Sequence, residues 1–138
     1  MKLYKTILKL SIFIVVVTVL YSSVQISSAE APTMTKEQVY NFKMDTWLNK
    51  LSKAESGNDS KLVFLDRNNK YSYSCLQFQK ETWNTYSKKF GIQGDIMDCT
   101  KQKQLAVLMV QSNYNLWRSW FTSCAIKGVG KPPRLDES

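Results

Sequence analysis

The first thirty residues set the bounds on what the rest of the chain can fold into. Lys2, Lys5 and Lys9 lead into the apolar stretch 10–20, and Ser27-Ser28-Ala29 follows, which is the three-part layout of a secretory signal peptide. Ser22 and Ser23 interrupt the run, and a spanning helix needs roughly 20 apolar residues, so cleavage after Ala29 is expected; an uncleaved anchor is the alternative. Taking 29 residues from the 138 leaves 109, which suits one compact domain and leaves no room for a second core. The expected setting is secreted or extracytoplasmic, in the periplasm or cell wall, where disulfides persist.

The signal carries three of the 19 basic residues and none of the acidic ones, so the mature chain holds 16 positive and 11 negative groups, a net of +5. A moderate basic excess draws a protein toward nucleic acid, anionic lipid or an acidic wall without choosing among them. For an exported chain, a wall polymer or membrane face is the expected neighbour, and nucleic acid is not. The chain has no histidine, which removes Ser-His and Cys-His nucleophile pairs and His-based metal sites, and no CxxC pair replaces them. Neither a metal nor a cofactor is expected. Any catalysis falls to carboxylates, hydroxyls, amides or lysine.

Along the chain, residues 30–34 read as a short leader with Pro32, and Thr35-Lys36-Glu37-Gln38 has the form of a capping box. Tyr40, Met44, Trp47, Leu48 and Leu51 then fall at three- and four-residue steps, drawing one apolar stripe along a helix. Glu55 lies four residues beyond Leu51, on the continuation of that stripe, and Gly57 is placed to end the helix. Leu62 to Asp66, the polar Arg67-Asn68-Asn69-Lys70, and Tyr71 to Cys75 read as strand, turn, strand. A second helix is predicted over 79–90 and a third after the N-cap Asp98. A fourth carries Trp117, Trp120, Phe121 and Cys124 after a break near Tyr114. The tail 127–138, with Gly128, Gly130, Pro132 and Pro133, should be irregular. The fold class is therefore α+β, mainly α, with a small β-hairpin. With three cysteines one bridge is possible, and two antiparallel helices would pair Cys99 with Cys124, leaving Cys75 as a buried thiol.

A carboxylate on an apolar stripe is disfavoured when ionised, so burial should raise the Glu55 pKa, which is what a general acid near neutral pH requires. Periodicity alone leaves open a plainer reading, a helix-end carboxylate exposed or paired with Lys53. The wider pattern favours the first. Lys53-Ala54-Glu55-Ser56-Gly57, a short hairpin, and Ser74-Cys75-Leu76-Gln77-Phe78 resemble the lysozyme-like superfamily of lytic transglycosylases. There a Glu-Ser pair ends a helix and a Gly-Leu-Met-Gln motif follows about twenty residues later. Gln77 matches the motif's glutamine, Cys75 and Leu76 its apolar pair, and Ser74 replaces its glycine. The chain is also similar to small exported lysozyme-like proteins whose motif Tyr-Gly-Leu-x-Gln-Phe is followed by a tryptophan at helical distance, as Trp83 is here. The resemblance covers roughly residues 45–126, within a lysozyme-like domain drawn as 35–126.

The resemblance implies a peptidoglycan partner and cleavage between N-acetylmuramic acid and N-acetylglucosamine, with Glu55 acting as acid and then base, in a monomer. A lytic transglycosylase needs no second carboxylate and is preferred. A muramidase, the hydrolytic glycosidase, would need one, with Asp66 the first candidate and Asp59 the next. Ser56, Tyr73 and Gln77 are candidate substrate-binding residues, as is Tyr114 within Asn113-Tyr114-Asn115, which matches the family's Tyr-Asn motif. The four tryptophans, by their helical spacing, are expected in the core. The alternatives are a non-catalytic peptidoglycan-binding module, with Glu55 turned to solvent and no groove beside Gln77, and a basic protein acting on membranes or nucleic acid through a contiguous Lys/Arg face.

Overall fold

In the computed structural model, which describes residues 33–137, Thr35 caps the first helix, α1 (Lys36–Ser56), as the sequence predicts. Its hydroxyl accepts from the Gln38 N–H and the Gln38 side chain accepts from the Thr35 N–H, so two donors at the helix start are satisfied reciprocally. Gly57 ends α1 at φ 66°, a left-handed conformation in which a glycine carries no Cβ penalty. Both the signal peptide and the alternative anchor, with most of the leader, fall on residues 1–32, outside those described.

A small antiparallel sheet follows in the order β1 (Val63–Leu65), β2 (Tyr71–Tyr73) and β3 (Phe78–Gln79). Val63 faces Tyr73 and Leu65 faces Tyr71 across the predicted polar turn, and β3 adds Gln79 opposite Ser72. Helices α2 (Lys80–Phe90) and α3 (Cys99–Ser112) come next, the latter capped by the Asp98 carboxylate accepting from the Thr100 and Lys101 N–H groups. The fold is α+β and mainly α. Among the described residues no helix is long and apolar enough to cross a membrane.

The expected fourth helix is a 3-10 segment, Tyr114–Trp120, followed by a π turn, Thr122–Ile126. Asn113 leaves the helical region at φ −152° and ψ 107°, and its side chain accepts from the Asn115 N–H, which starts a new and tighter turn. With three residues per turn, Trp117 and Trp120 fall on one side and both point inward. The core is built from the α1 stripe, Leu76 and Phe78, Trp83, the α3 stripe and these two rings. All four tryptophans are buried there, with Trp120 edge-on to Trp47 at 6.1 Å and to Phe78 at 5.3 Å. The tail is irregular up to a last turn at Leu135–Glu137, yet it is docked: the Trp47 Nε1 donates to the Gly130 carbonyl and the Tyr114 hydroxyl to that of Pro132.

The disulfide departs from the sequence expectation. Cys75 is bonded to Cys99, with their Cα atoms 5.5 Å apart, and Cys124 is the free, buried thiol. The Cys99–Cys124 pairing assumed that the last segment ran as a regular helix antiparallel to α3. The 3-10 and π turns instead carry Cys124 toward Trp47 and Glu55, while Cys99, in the first turn of α3, meets the chain leaving β2.

Candidate functional site

Glu55 ends up where the α1 stripe runs out of partners. The residues before it on that face, Leu48 and Leu51, are buried in the core, whereas Glu55 is half-buried and lines a cleft of about 1090 Å³. Burial raises its pKa above the ordinary 4.5; the Ser123 hydroxyl and the Lys127 ammonium oppose that rise, and the negative charge of Asp66 adds to it. The result is a carboxyl biased toward its protonated form inside an open cleft.

Asp66 lines the same cleft from the end of β1. It accepts hydrogen bonds from the Ser72 hydroxyl and from the Gln79 side chain, the latter at 3.0 Å, so the neighbouring strands fix its position. Gln77 is the third predicted residue in the cleft, and its Nε2 donates to the Ser74 carbonyl at 2.6 Å. Ser74 and Gln77 lie at φ 60° and 53°, with the Gln77 N–H closing back on the Ser74 carbonyl. Ser74 thus adopts the left-handed conformation that a glycine takes most readily, and its buried hydroxyl donates to the Met97 carbonyl at 2.9 Å.

Ser56, Tyr73 and Tyr114 do not line the cleft. Ser56 ties the end of α1 to the far chain, donating to the carbonyls of Ser52 and Cys75 at 3.1 and 3.0 Å. Tyr73 offers its carbonyl to Gln102, and the Tyr114 ring lies under the Arg134 guanidinium with its hydroxyl on Pro132. Asp59 accepts from the Lys61 N–H, also outside the cleft.

Three groups escaped the sequence reading. Ser123, fully buried in the π turn, lines the cleft beside Glu55, and its oxygen has no hydrogen-bond partner of ordinary geometry among the described residues. Lys127 donates to the Ala54 carbonyl at 2.7 Å, which holds its ammonium near Glu55. Gln102 has no local signal at all: wholly buried on α3, it accepts from the Leu76 N–H at 2.8 Å and donates to the carbonyls of Tyr73 and Ile96. Together with the Cys75–Cys99 bridge it clamps the segment carrying Gln77 onto α3, and the Trp120 Nε1, donating to the Leu76 carbonyl, ties the same segment to the 3-10 turn.

The Cys124 thiol is pushed up to about 11 by burial and then by the charge of Glu55, so it carries no nucleophilic thiolate at neutral pH. Among the described residues no three Cys, Asp or Glu side chains come together in a way that could hold a metal ion. The arrangement offers proton transfer from one carboxyl, a second fixed carboxyl, and a lip of apolar surface from the exposed Phe64, Leu65 and Phe121. No protein-family model, no curated protein and no solved structure matches the chain.

Proposed function

We propose that this protein is exported and, as a monomer, cleaves peptidoglycan strands between N-acetylmuramic acid and N-acetylglucosamine. The observation that carries the reading is a half-buried Glu55, biased toward its protonated form, in the same cleft as Gln77 and Asp66. Glu55 protonates the leaving glycosidic oxygen and then, as carboxylate, takes the proton of the attacking hydroxyl. In a lytic transglycosylase that hydroxyl belongs to the sugar itself. The lip formed by Phe64, Leu65 and Phe121 suits the apolar faces of sugar rings, and Arg67, Arg118 and Lys127 in the cleft suit the carboxylates of a wall glycan. A wall-binding module without catalysis is disfavoured, since that reading expects Glu55 in solvent and no groove beside Gln77.

One observation favours a second reading, the hydrolytic one. Asp66 is held by Ser72 and Gln79 in the Glu55 cleft, where it could serve as the second carboxylate that hydrolysis uses. Both readings are tested by digesting isolated peptidoglycan with the native protein and with Glu55→Gln, followed by mass spectrometry of the soluble muropeptides. Release by the native protein alone is expected. Release by neither, or equally by both, sinks the assignment; anhydro ends identify the transglycosylase and reducing ends the hydrolase.

A further inference from the structure

On the side of α1 roughly opposite Glu55, by the 100° step of the helix, lies a second cavity of about 590 Å³. Lys50 and Lys53 enter it from α1, one helical turn apart, and Lys103 enters from α3. The Lys103 ammonium donates to the Asn49 Oδ1 at 2.9 Å, which pins it and leaves the Asn49 Nδ2 as a donor. Asn58, in the left-handed conformation at φ 70°, and Cys99, fixed by its disulfide, also line the cavity. No Asp or Glu lines the cavity, and none of its three lysines makes a salt bridge among the described residues. Three ammonium groups around one cavity repel one another unless an anion joins them.

We propose that this cavity binds a phosphate group borne on a hydrophilic carrier, of the polyol-phosphate kind. The chemistry of the wall argues for that class. Lysines act as point charges, and three of them with the Asn49 and Asn58 amides around one cavity suit a tetrahedral phosphate, whose oxygens can be met from several directions at once. No aromatic side chain is present to stack a base, and no large apolar side chain to enter a bilayer, which sets aside single-stranded nucleic acid and a membrane surface. The site is independent of Glu55 chemistry and stands or falls apart from it.

The test titrates the purified protein with inorganic phosphate, glycerol phosphate and sodium chloride at constant ionic strength, followed by amide NMR. Saturable shifts at Asn49, Cys99 and Lys103 are expected with both phosphates and not with chloride. Lys50→Gln/Lys53→Gln, two exposed positions, should weaken binding about tenfold or more while the remaining spectrum stays native. Glu55→Gln should bind as the native protein does. A second arm compares poly(glycerol phosphate), anionic vesicles and an oligonucleotide, with the first expected to bind most tightly and through these lysines. Shifts that do not saturate, or equal shifts with chloride, overturn the proposal. So does binding unchanged by the double substitution, or a preference for vesicles or the oligonucleotide.

Discussion

Replacing Gln102 by leucine keeps nearly the same volume in the core and deletes every polar atom that clamps the Gln77 segment to α3. Three backbone groups lose the bond that Gln102 makes to them: the Leu76 N–H, which is buried, and the carbonyls of Tyr73 and Ile96, which are partly buried. A buried donor left unsatisfied costs about 2–3 kcal/mol and each partly solvated carbonyl about 1 kcal/mol, giving roughly 4–5 kcal/mol. Domains of this size hold about 5–15 kcal/mol in total, so the variant should sit close to its unfolding threshold. Urea denaturation followed by tryptophan fluorescence gives the difference directly, and heating should show a midpoint lower by about 15–25 °C. Gln102→Glu should be no better, because at neutral pH its oxygens face two carbonyls. A loss under about 1.5 kcal/mol for Gln102→Leu would refute the reasoning, since the chain between Tyr73 and Gln77 would then have adequate support from the disulfide and Trp120 alone.

Six other substitutions, at five positions, probe the same architecture. The raised pKa of Glu55 means that the native state favours its neutral form: the associated stability is present below the unfolded-state value and is lost as pH rises through the folded one. Glu55→Gln should therefore match the native protein in acid and exceed it in stability at neutral pH, as read by melting curves across pH; no gain at neutral pH counts against desolvation. Ser123→Ala removes a group that opposes the rise, so it should move the Glu55 titration, followed by carboxyl NMR, to higher pH. Cys75→Ser should cost about 3.5 kcal/mol in urea unfolding, from opening a loop whose ends are 24 positions apart, whereas Cys124→Ser should leave the disulfide content by thiol counting unchanged. Ser74→Ala, which keeps the left-handed strain and drops the bond to Met97, should lose about 1–2 kcal/mol, while Ser74→Gly relieves the strain and should fall within about 1 kcal/mol of native.

The legible parts of this fold are those encoded locally. Thr35 and Gln38, the Tyr40 to Leu51 stripe, Gly57 and the Asp98 cap each act within a turn or two of themselves, and each appears as written. The placement of Glu55 on a buried face could be read by the same means. The pairing of Cys75 with Cys99 could not, because it depends on how α3 packs against the chain after β2. The change from α to 3-10 and π geometry after Asn113 was hidden too: Trp117, Trp120 and Phe121 have spacings that suit several helical periods, and only the local cap at Asn113 decides. Gln102 and Ser123 are ordinary polar residues in sequence. Their importance comes from backbone groups and a carboxyl brought to them by distant segments, which no spacing rule announces. Two cleft residues, Asp66 and Gln77, were found through their order behind Glu55, while Ser56, also named from that order, turns its hydroxyl to the protein interior.

Helix α1 presents Glu55 to one cavity and Lys50 and Lys53 to another, with no break in the helix between them. That shared rod makes the segment 46–56 intolerant of insertion in a way that its solvent-facing residues do not advertise. One residue added after Lys53 turns everything beyond it by about 100° and shifts it by about 1.5 Å. Either Glu55 would leave the cleft, or, if Glu55 kept its place, the lysines would leave their cavity and the core stripe that ends at Leu51 would fall out of phase. Length, more than residue identity, is the property this helix must keep.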